Sequence, residues 1–234
     1  MPAVHATPEA SPPSSSETLE RTLPSEAYLS QDAFDAERER IFSAEWLCVG
    51  REELVPSPGD YLLVEAAGES VIVVRARDQA LRAYYNVCRH RGSRLVLDDP
   101  PSDAPPGPSG RFKGAIRCPY HAWTYGLSGE LRNAPFLSED RGLRREHLPL
   151  HPASVDTWGG FVFLHLTPDA ASSLPDQLGA VQERLVRYPL DRLRIATRIR
   201  YDVRSNWKCI VENYNECYHC GAVAATAGQN GDRL

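Results

Sequence analysis

Hydrophobic positions along this chain recur with two different periods. Between Asp60 and Leu166, short runs rich in β-branched and aromatic residues (Tyr61–Glu65, Ser70–Arg75, Leu81–Asn86 and Phe161–Leu166) are separated by turn-forming pairs such as Gly68-Glu69 and Asp78-Gln79. This pattern predicts the half-buried strands of an all-β sandwich. Phe34, Ile41 and Phe42 predict a short helix over Ser30–Trp46, with Asp32 and Asp35 early and Arg38 and Arg40 late as its dipole favours. That helix is expected to pack on the domain that follows. Leu174, Leu178, Val181 and Leu185 repeat every three or four positions before Pro189, which predicts an amphipathic helix.

At Leu193 the period drops to two. Leu193, Ile195, Thr197, Ile199, Tyr201 and Val203 alternate with Arg194, Arg198, Arg200 and Asp202, the pattern of a long half-buried strand that opens a new domain. Asn206 can then cap a helix running through Cys220, on which Glu212, Glu216 and His219 share one face. Two stretches support no core. Residues 1–24 are rich in Pro, Ser, Thr and Glu and predict a disordered tail, and the proline-rich stretch Asp98–Gly110 predicts a surface loop.

Composition narrows the class. A chain of 234 residues, 42% apolar and 24% charged, can bury one compact domain and part of another. A formal charge of -5 provides no basic field for nucleic acid, and no run of eighteen apolar residues suits a membrane span. The N-terminus has no basic stretch followed by an apolar one, so a cytoplasmic protein is expected. In that setting the six cysteines are better read as metal ligands or core residues than as disulfides.

Two cysteines are followed closely by histidines, in Cys88-Arg89-His90 and in Cys118-Pro119-Tyr120-His121. Each pair supplies one thiolate and one imidazole, so two cysteines can hold one iron of a [2Fe-2S] cluster and two histidines the other. Neutral imidazoles remove negative charge from the second iron and raise the potential above that of an all-cysteine cluster. Gly92, Pro119, Gly126 and Gly129 suit loops that bring backbone N–H groups to the sulfurs, and Trp123 and Tyr125 are placed to exclude water. A zinc site is the alternative, although its ligands usually come as paired cysteines followed by paired histidines. Cys217 and Cys220 form a C-x-x-C pair without the strand–helix–strand context of thioredoxin-like chemistry. Cys48 and Cys209 read as small buried residues, and His147, His151 and His165 as surface or hydrogen-bonded histidines.

With Cys88-Arg89-His90-Arg91-Gly92 and Cys118-Pro119-Tyr120-His121-Ala122-Trp123, the chain resembles the Rieske non-haem iron oxygenases, specifically their α subunits, over roughly residues 25–220. Respiratory Rieske proteins carry a further cysteine pair beside the cluster that these loops lack, so the resemblance is to the lower-potential oxygenase type. It implies a mainly β fold with flanking helices: a Rieske [2Fe-2S] β-sandwich domain and the start of an α+β helix-grip catalytic domain. The implied division is a tail over 1–24, an N-terminal helix over 25–46, the Rieske domain over 47–170, a connecting helix and the beginning of the catalytic domain over 171–220, and an aberrant or disordered tail over 221–234.

The run Glu212-Asn213-Tyr214-Asn215-Glu216-Cys217-Tyr218-His219-Cys220 resembles the helix that begins the family's catalytic domain. By that resemblance Glu216 links the cluster of one subunit to the iron of its neighbour, and His219 is a ligand of a mononuclear Fe(II). The glutamate and its flanks resemble the branch oxidising carnitine, choline or glycine betaine. A facial triad needs two histidines and a carboxylate. The family's second histidine falls where this chain has Ala224, and no histidine follows His219. Asp232 is a poor third ligand, so the chain alone is expected to lack a complete catalytic iron site. If instead this helix is purely structural, Glu216 and His219 form a solvated face and Trp207 and Tyr214 belong to the core.

The Ala/Gly-rich run from Gly221 suggests truncation, frameshift or a split gene. The expected partners are a ferredoxin or flavin reductase, a small-molecule substrate and, in the intact family, two further copies in a homotrimer. No glycine-rich nucleotide fingerprint occurs, which assigns nicotinamide and flavin to a partner. The alternative function is a stand-alone carrier of Rieske-ferredoxin type.

Overall fold

The computed structural model describes residues 22–97, 109–135, 144–199 and 201–215. Most of the expected N-terminal tail, most of the proline-rich loop, Glu216, the Cys217/Cys220 pair, His219 and the C-terminal tail lie outside the described residues. Among the described residues no helix is long and apolar enough to cross a membrane.

The fold is mainly β, as the run pattern predicts. Ten strands are described: β1 (Leu47–Arg51), β2 (Asp60–Ala66), β3 (Glu69–Arg75), β4 (Leu81–Tyr85), β5 (Gly110–Arg111), β6 (Ile116–Arg117), β7 (Thr124–Tyr125), β8 (Leu131–Asn133), β9 (Pro152–Trp158) and β10 (Phe161–His165). Seven form an antiparallel sheet in the order β1-β10-β9-β4-β3-β2-β5, and β6-β7-β8 form a small second sheet. The β2–β3 hairpin turns at Ala67 and Gly68, with φ of 53° and 88°. Positive φ at both central residues matches the right-handed twist of the flanking strands.

β3 is buried on both faces. Ile72 and Val74 enter a core shared with Cys88, Ile116, Cys118, Trp123, Tyr125 and Leu150, which joins the two sheets. Val71 and Val73 enter a second core with Leu62, Ala83, Val162 and Leu164. Because β10 lies three places from β3 in the sheet order, this contact requires the large sheet to curl into a half-barrel. Its open side is a cleft of about 660 Å³ between β1 and β2, lined by Leu47, Val49, Leu62 and Val64.

The helical predictions need correction. The single N-terminal helix is instead α1 (Glu26–Leu29), α2 (Gln31–Glu37) and a π-helical turn ending at Phe42, with the Ser30 side chain capping α2. The amphipathic run after Ser173 forms α3 (Leu174–Leu178) and α4 (Val181–Leu185), broken where Gly179 takes φ of 45°. Asn206 does cap α5 (Trp207–Asn215), its side chain accepting the Lys208 N–H at 3.0 Å. The N-terminal helices meet α5 through side chains. Phe42 meets Trp207 edge-on, Glu37 accepts hydrogen bonds from Trp207 Nε1 and Lys208 Nζ, and Tyr28 donates to Glu212 at 2.6 Å. Tyr214 is 85% exposed, and Cys48 is exposed rather than buried.

The long strand expected over Leu193–Val203 is absent among its described residues. A strand needs a neighbour's N–H and C=O groups, and here side chains take that role. Buried Arg51 donates from Nη2 to the carbonyls of Leu190 and Leu193, each at 2.9 Å, and Glu53 accepts the Ile195 N–H at 2.7 Å. The segment is thereby tied to the end of β1 while Ile199 and Tyr201 stay exposed.

Asp60 is fully buried and accepts from Arg111 at 2.5 and 3.0 Å and from the Ser57 N–H at 2.9 Å, which fastens β5 to β2. The Arg111 guanidinium, helped by that N–H, holds its carboxyl below the ordinary range. A depressed folded-state pKa contributes stability above the unfolded value of about 3.9, and this is lost as pH falls toward the folded value. Asp60→Asn is expected to cost about 2 kcal/mol at neutral pH. In urea unfolding the difference from the parent should shrink below about pH 4; a difference independent of pH would reject the linkage.

Candidate metal centre

The site is built from two loops of the same backbone design. In the first, the Cys88 N–H donates to the Ser93 carbonyl at 2.8 Å and the Gly92 N–H returns to the Cys88 carbonyl at 3.0 Å. In the second, the Cys118 N–H donates to Trp123 at 2.8 Å and the Ala122 N–H returns to Cys118 at 3.1 Å. The residue four after each cysteine carries positive φ, 69° at Gly92 and 59° at Ala122. An alanine pays about 1 kcal/mol for this conformation, which glycine adopts freely. The sequence signalled the first reversal through Gly92 but gave no signal for Ala122.

The loops sort their donors by depth. Cys88 and Cys118 are 2% and 3% exposed and lie beside one another in the core that joins the sheets. His90 and His121 stand at the surface with ring centroids 4.8 Å apart. The indole of Trp123 stacks on His90 at 4.8 Å and 9°, and Tyr120 covers His121 at 3.7 Å. All four side chains singled out in the sequence are therefore brought together, thiols inward and imidazoles outward.

Electrostatics suits metal ligation. Burial pushes the Cys88 thiol up, and the neighbouring Cys118 adds to the shift. A bare Cys88 thiolate is unfavourable in that core, and bound cations would supply the missing positive charge. Burial first, then His121 and Arg91, lower the proton affinity of His90 and favour the neutral imidazole that a metal requires. The Tyr125 hydroxyl accepts the Arg89 N–H at 3.1 Å, which leaves its own proton free for the Cys88 sulfur at 3.3 Å. Burial and that thiol keep the Tyr125 phenol protonated.

The donor set fits a binuclear cluster better than a single ion. Among the described residues no three His, Cys, Asp or Glu side chains converge as one coordinated ion demands. A zinc site would draw all four donors to one point, whereas paired irons need two donors each.

Other candidate residues have structural partners or cannot be described. His165 is buried; its Nε2 donates to the Ala44 carbonyl at 2.9 Å and its Nδ1 accepts the Thr167 N–H at 3.0 Å. His147 is exposed. His151 receives the Arg89 guanidinium at Nδ1, 2.8 Å away, a contact behind the cluster loop that the sequence did not signal. Glu212, expected to share a face with Glu216 and His219, is bonded to Tyr28.

Comparison with known proteins agrees with this geometry. Residues 45–155 match the Rieske [2Fe-2S] domain, and residues 190–226 match the ring hydroxylating alpha subunit (catalytic domain). The chain is 37% identical over 202 residues to the carnitine monooxygenase oxygenase subunit of Escherichia coli (strain K12), covering 86% of this chain and 51% of that protein. It is 36% identical over 205 residues to the glycine betaine monooxygenase oxygenase subunit of Chromohalobacter salexigens, covering 86% of this chain and 42% of that one. A crystal structure of a quaternary ammonium Rieske monooxygenase in complex with L-carnitine superposes with a TM-score of 0.78 at 36% identity, over 91% of this chain and 57% of the other. The chain thus spans about half the length of the curated relatives it matches.

Tyr125→Phe removes the hydroxyl beside the Cys88 sulfur without changing the ring's packing. A hydrogen bond to sulfur stabilises the more negative, reduced state. The substitution is expected to lower the midpoint potential by roughly 50 mV, the one-electron equivalent of about 1 kcal/mol. Spectroelectrochemical titration of the loaded protein reads this directly, and an unchanged potential would remove Tyr125 from the tuning of the centre.

Proposed function

We infer that this chain, which belongs to the Rieske non-haem iron oxygenase α-subunit family, accepts single electrons at a [2Fe-2S] centre held by Cys88, His90, Cys118 and His121. The observation that carries this reading is the pairing of two buried thiols with two surface imidazoles on loops of one backbone design. When bound, the cluster supplies one-electron storage. The chain's own residues do the rest. Cys88 and Cys118 hold the inner side, His90 and His121 the outer side, and Trp123 and Tyr125 exclude water behind them.

The rings of His90 and His121 are the groups through which this centre meets its surroundings. In the full oxygenase reading, Glu216 would be the bridging acid and His219 one ligand of a mononuclear Fe(II), which would supply O₂-dependent hydroxylation of a substrate. α5, which leads into both residues, is held at its first turn by Glu37 through Trp207 and Lys208. The substrate class is a quaternary ammonium compound of the carnitine or glycine betaine kind, supported by the relatives named above. Electrons come from a ferredoxin or flavin reductase, and the working assembly is a homotrimer.

Metal and sulfide analysis of the purified chain tests the reading. About two irons and two acid-labile sulfides per chain are expected, lost together in His121→Ala. Colourless material containing zinc and no sulfide would overturn it. Iron above two per chain that disappears in His219→Ala would support the oxygenase site, whereas two irons insensitive to that substitution would favour an electron carrier.

A further inference from the structure

We propose that Arg51 and Glu53 are positioning residues: together they form a socket that fixes where the chain leaves the half-barrel on its way to α5. This rests on the oxygenase reading above, in which α5 leads into Glu216 and His219.

The socket is assembled from separate pieces of the sequence. Arg51 ends β1, lies 4.5 Å over the Phe161 ring and donates from Nη2 to both the Leu190 and the Leu193 carbonyl. Glu53 takes the next backbone group: one carboxylate oxygen accepts the Ile195 N–H at 2.7 Å, and the other meets Arg194 at 3.3 Å. The turn between β9 and β10 makes the room. Gly160 has φ of 78°, and a Cβ on it would lie 2.7 Å from the Arg51 guanidinium. One on Gly159, with φ of 57°, would lie 2.9 Å from Leu190. Beyond the socket the chain is uncovered. From Ala196 to Ser205 every described residue is exposed, so this is the last hold before α5 is reached.

Energetics separates positioning from stability here. Arg51 is 7% exposed, and its Nε and Nη1 are buried without a hydrogen-bond partner among the described residues, with Glu53 3.9 Å from Nε. Desolvating a cation and leaving donors bare costs free energy that an apolar side chain of similar size would not incur. The carbonyls that Arg51 holds are also easily hydrated once released, since Leu193 is 49% exposed. Its net contribution to stability is therefore small. What an apolar side chain cannot do is select one path of the main chain, because only matched donors and acceptors single out particular backbone groups. The N-terminal helices hold the first turn of α5 through Glu37, and the socket holds the segment that feeds it. A helix that carries groups meant to face an electron centre needs such fixed ends, since small misplacements are costly to reactions that depend on geometry.

The experiment uses the full chain with its cluster, and the variants Arg51→Met, Glu53→Ala and Glu53→Gln. Backbone hydrogen exchange reads the hold on residues 190–197, and urea unfolding reads stability. Pulsed EPR reads the distance from the reduced cluster to a nitroxide on p-acetylphenylalanine placed at Tyr214, which is 85% exposed on α5. In Arg51→Met the urea midpoint is expected to be unchanged or raised, while exchange over 190–197 quickens about fivefold, the equivalent of one ordinary hydrogen bond. The distance distribution should widen on the order of twofold as the segment samples more paths. Glu53→Ala should quicken the same exchange, and Glu53→Gln, whose amide oxygen still accepts the Ile195 N–H, should restore it. Exchange within Val71–Val74 of β3 stays at the parent's rate throughout.

A distance distribution as narrow as the parent's in both Arg51→Met and Glu53→Ala would overturn the proposal. So would a urea midpoint that falls in step with faster exchange across the whole chain, or an Arg51→Met chain that does not fold, because Arg51 would then serve stability. Equal exchange in Glu53→Ala and Glu53→Gln would remove Glu53 from the socket. Failure of the underlying reading looks different: reduction would produce no cluster EPR signal, while exchange and unfolding still reported on the socket.

Discussion

Four donors from two separate loops reach one small volume only if each loop reverses within a few residues of its cysteine. That reversal is the constraint on which the rest of the molecule depends. In both loops it is closed by the same pair of backbone bonds around Cys88 and Cys118 and passes through a left-handed residue, Gly92 or Ala122. The bonds use the cysteines' own N–H and C=O groups, so the sulfurs are fixed by the main chain before any metal arrives. A side chain at Ala122 shows that the second loop is held in shape by its surroundings. Trp123 and Tyr125, buried immediately after it, supply that restraint.

The loops in turn need a floor. Ile72 and Val74 press against the thiols' side of the core, while Val71 and Val73 hold the opposite face of β3 to β10. A strand apolar on both faces couples the cluster lobe to the half-barrel, so packing changes on either side of β3 reach the sulfurs. Gly129 completes the junction. Its backbone, with φ of 89°, passes so close to Tyr84 that a Cβ there would meet ring carbons at 2.5 and 2.8 Å and the hydroxyl oxygen at 2.9 Å. The small sheet can approach the large one only at a residue without a side chain.

The sequence made the four candidate donors and four strands legible for simple physical reasons. Cysteine and histidine two or three apart, twice, have few other uses, and Val71–Val74 is an unbroken β-branched run that suits a strand buried on both faces. What escaped notice depends on distant neighbours. β9 begins with Pro152 and mixes Ser154, Asp156 and Thr157 with apolar residues, so its place between β10 and β4 follows from tertiary pairing. The alternation from Leu193 to Val203 gave the opposite error, since periodicity describes a strand's faces and says nothing of whether a partner lies at its edge. Gly179 likewise divided a helix whose apolar spacing ran straight through it. Glu216 and His219 remain readable only through their resemblance to the family's helix.

The depth ordering of the donors links the fold to the proposed role. Thiols are costly to ionise in an apolar core, as the raised Cys88 shows, so the inner site suits the ligand pair that a metal must deprotonate and keep. Imidazoles ligate while neutral and keep a second ring nitrogen, which makes them the natural pair to leave at the surface. Had the order been reversed, the centre would have exposed thiolates to oxidation and buried the groups best suited to contact a partner.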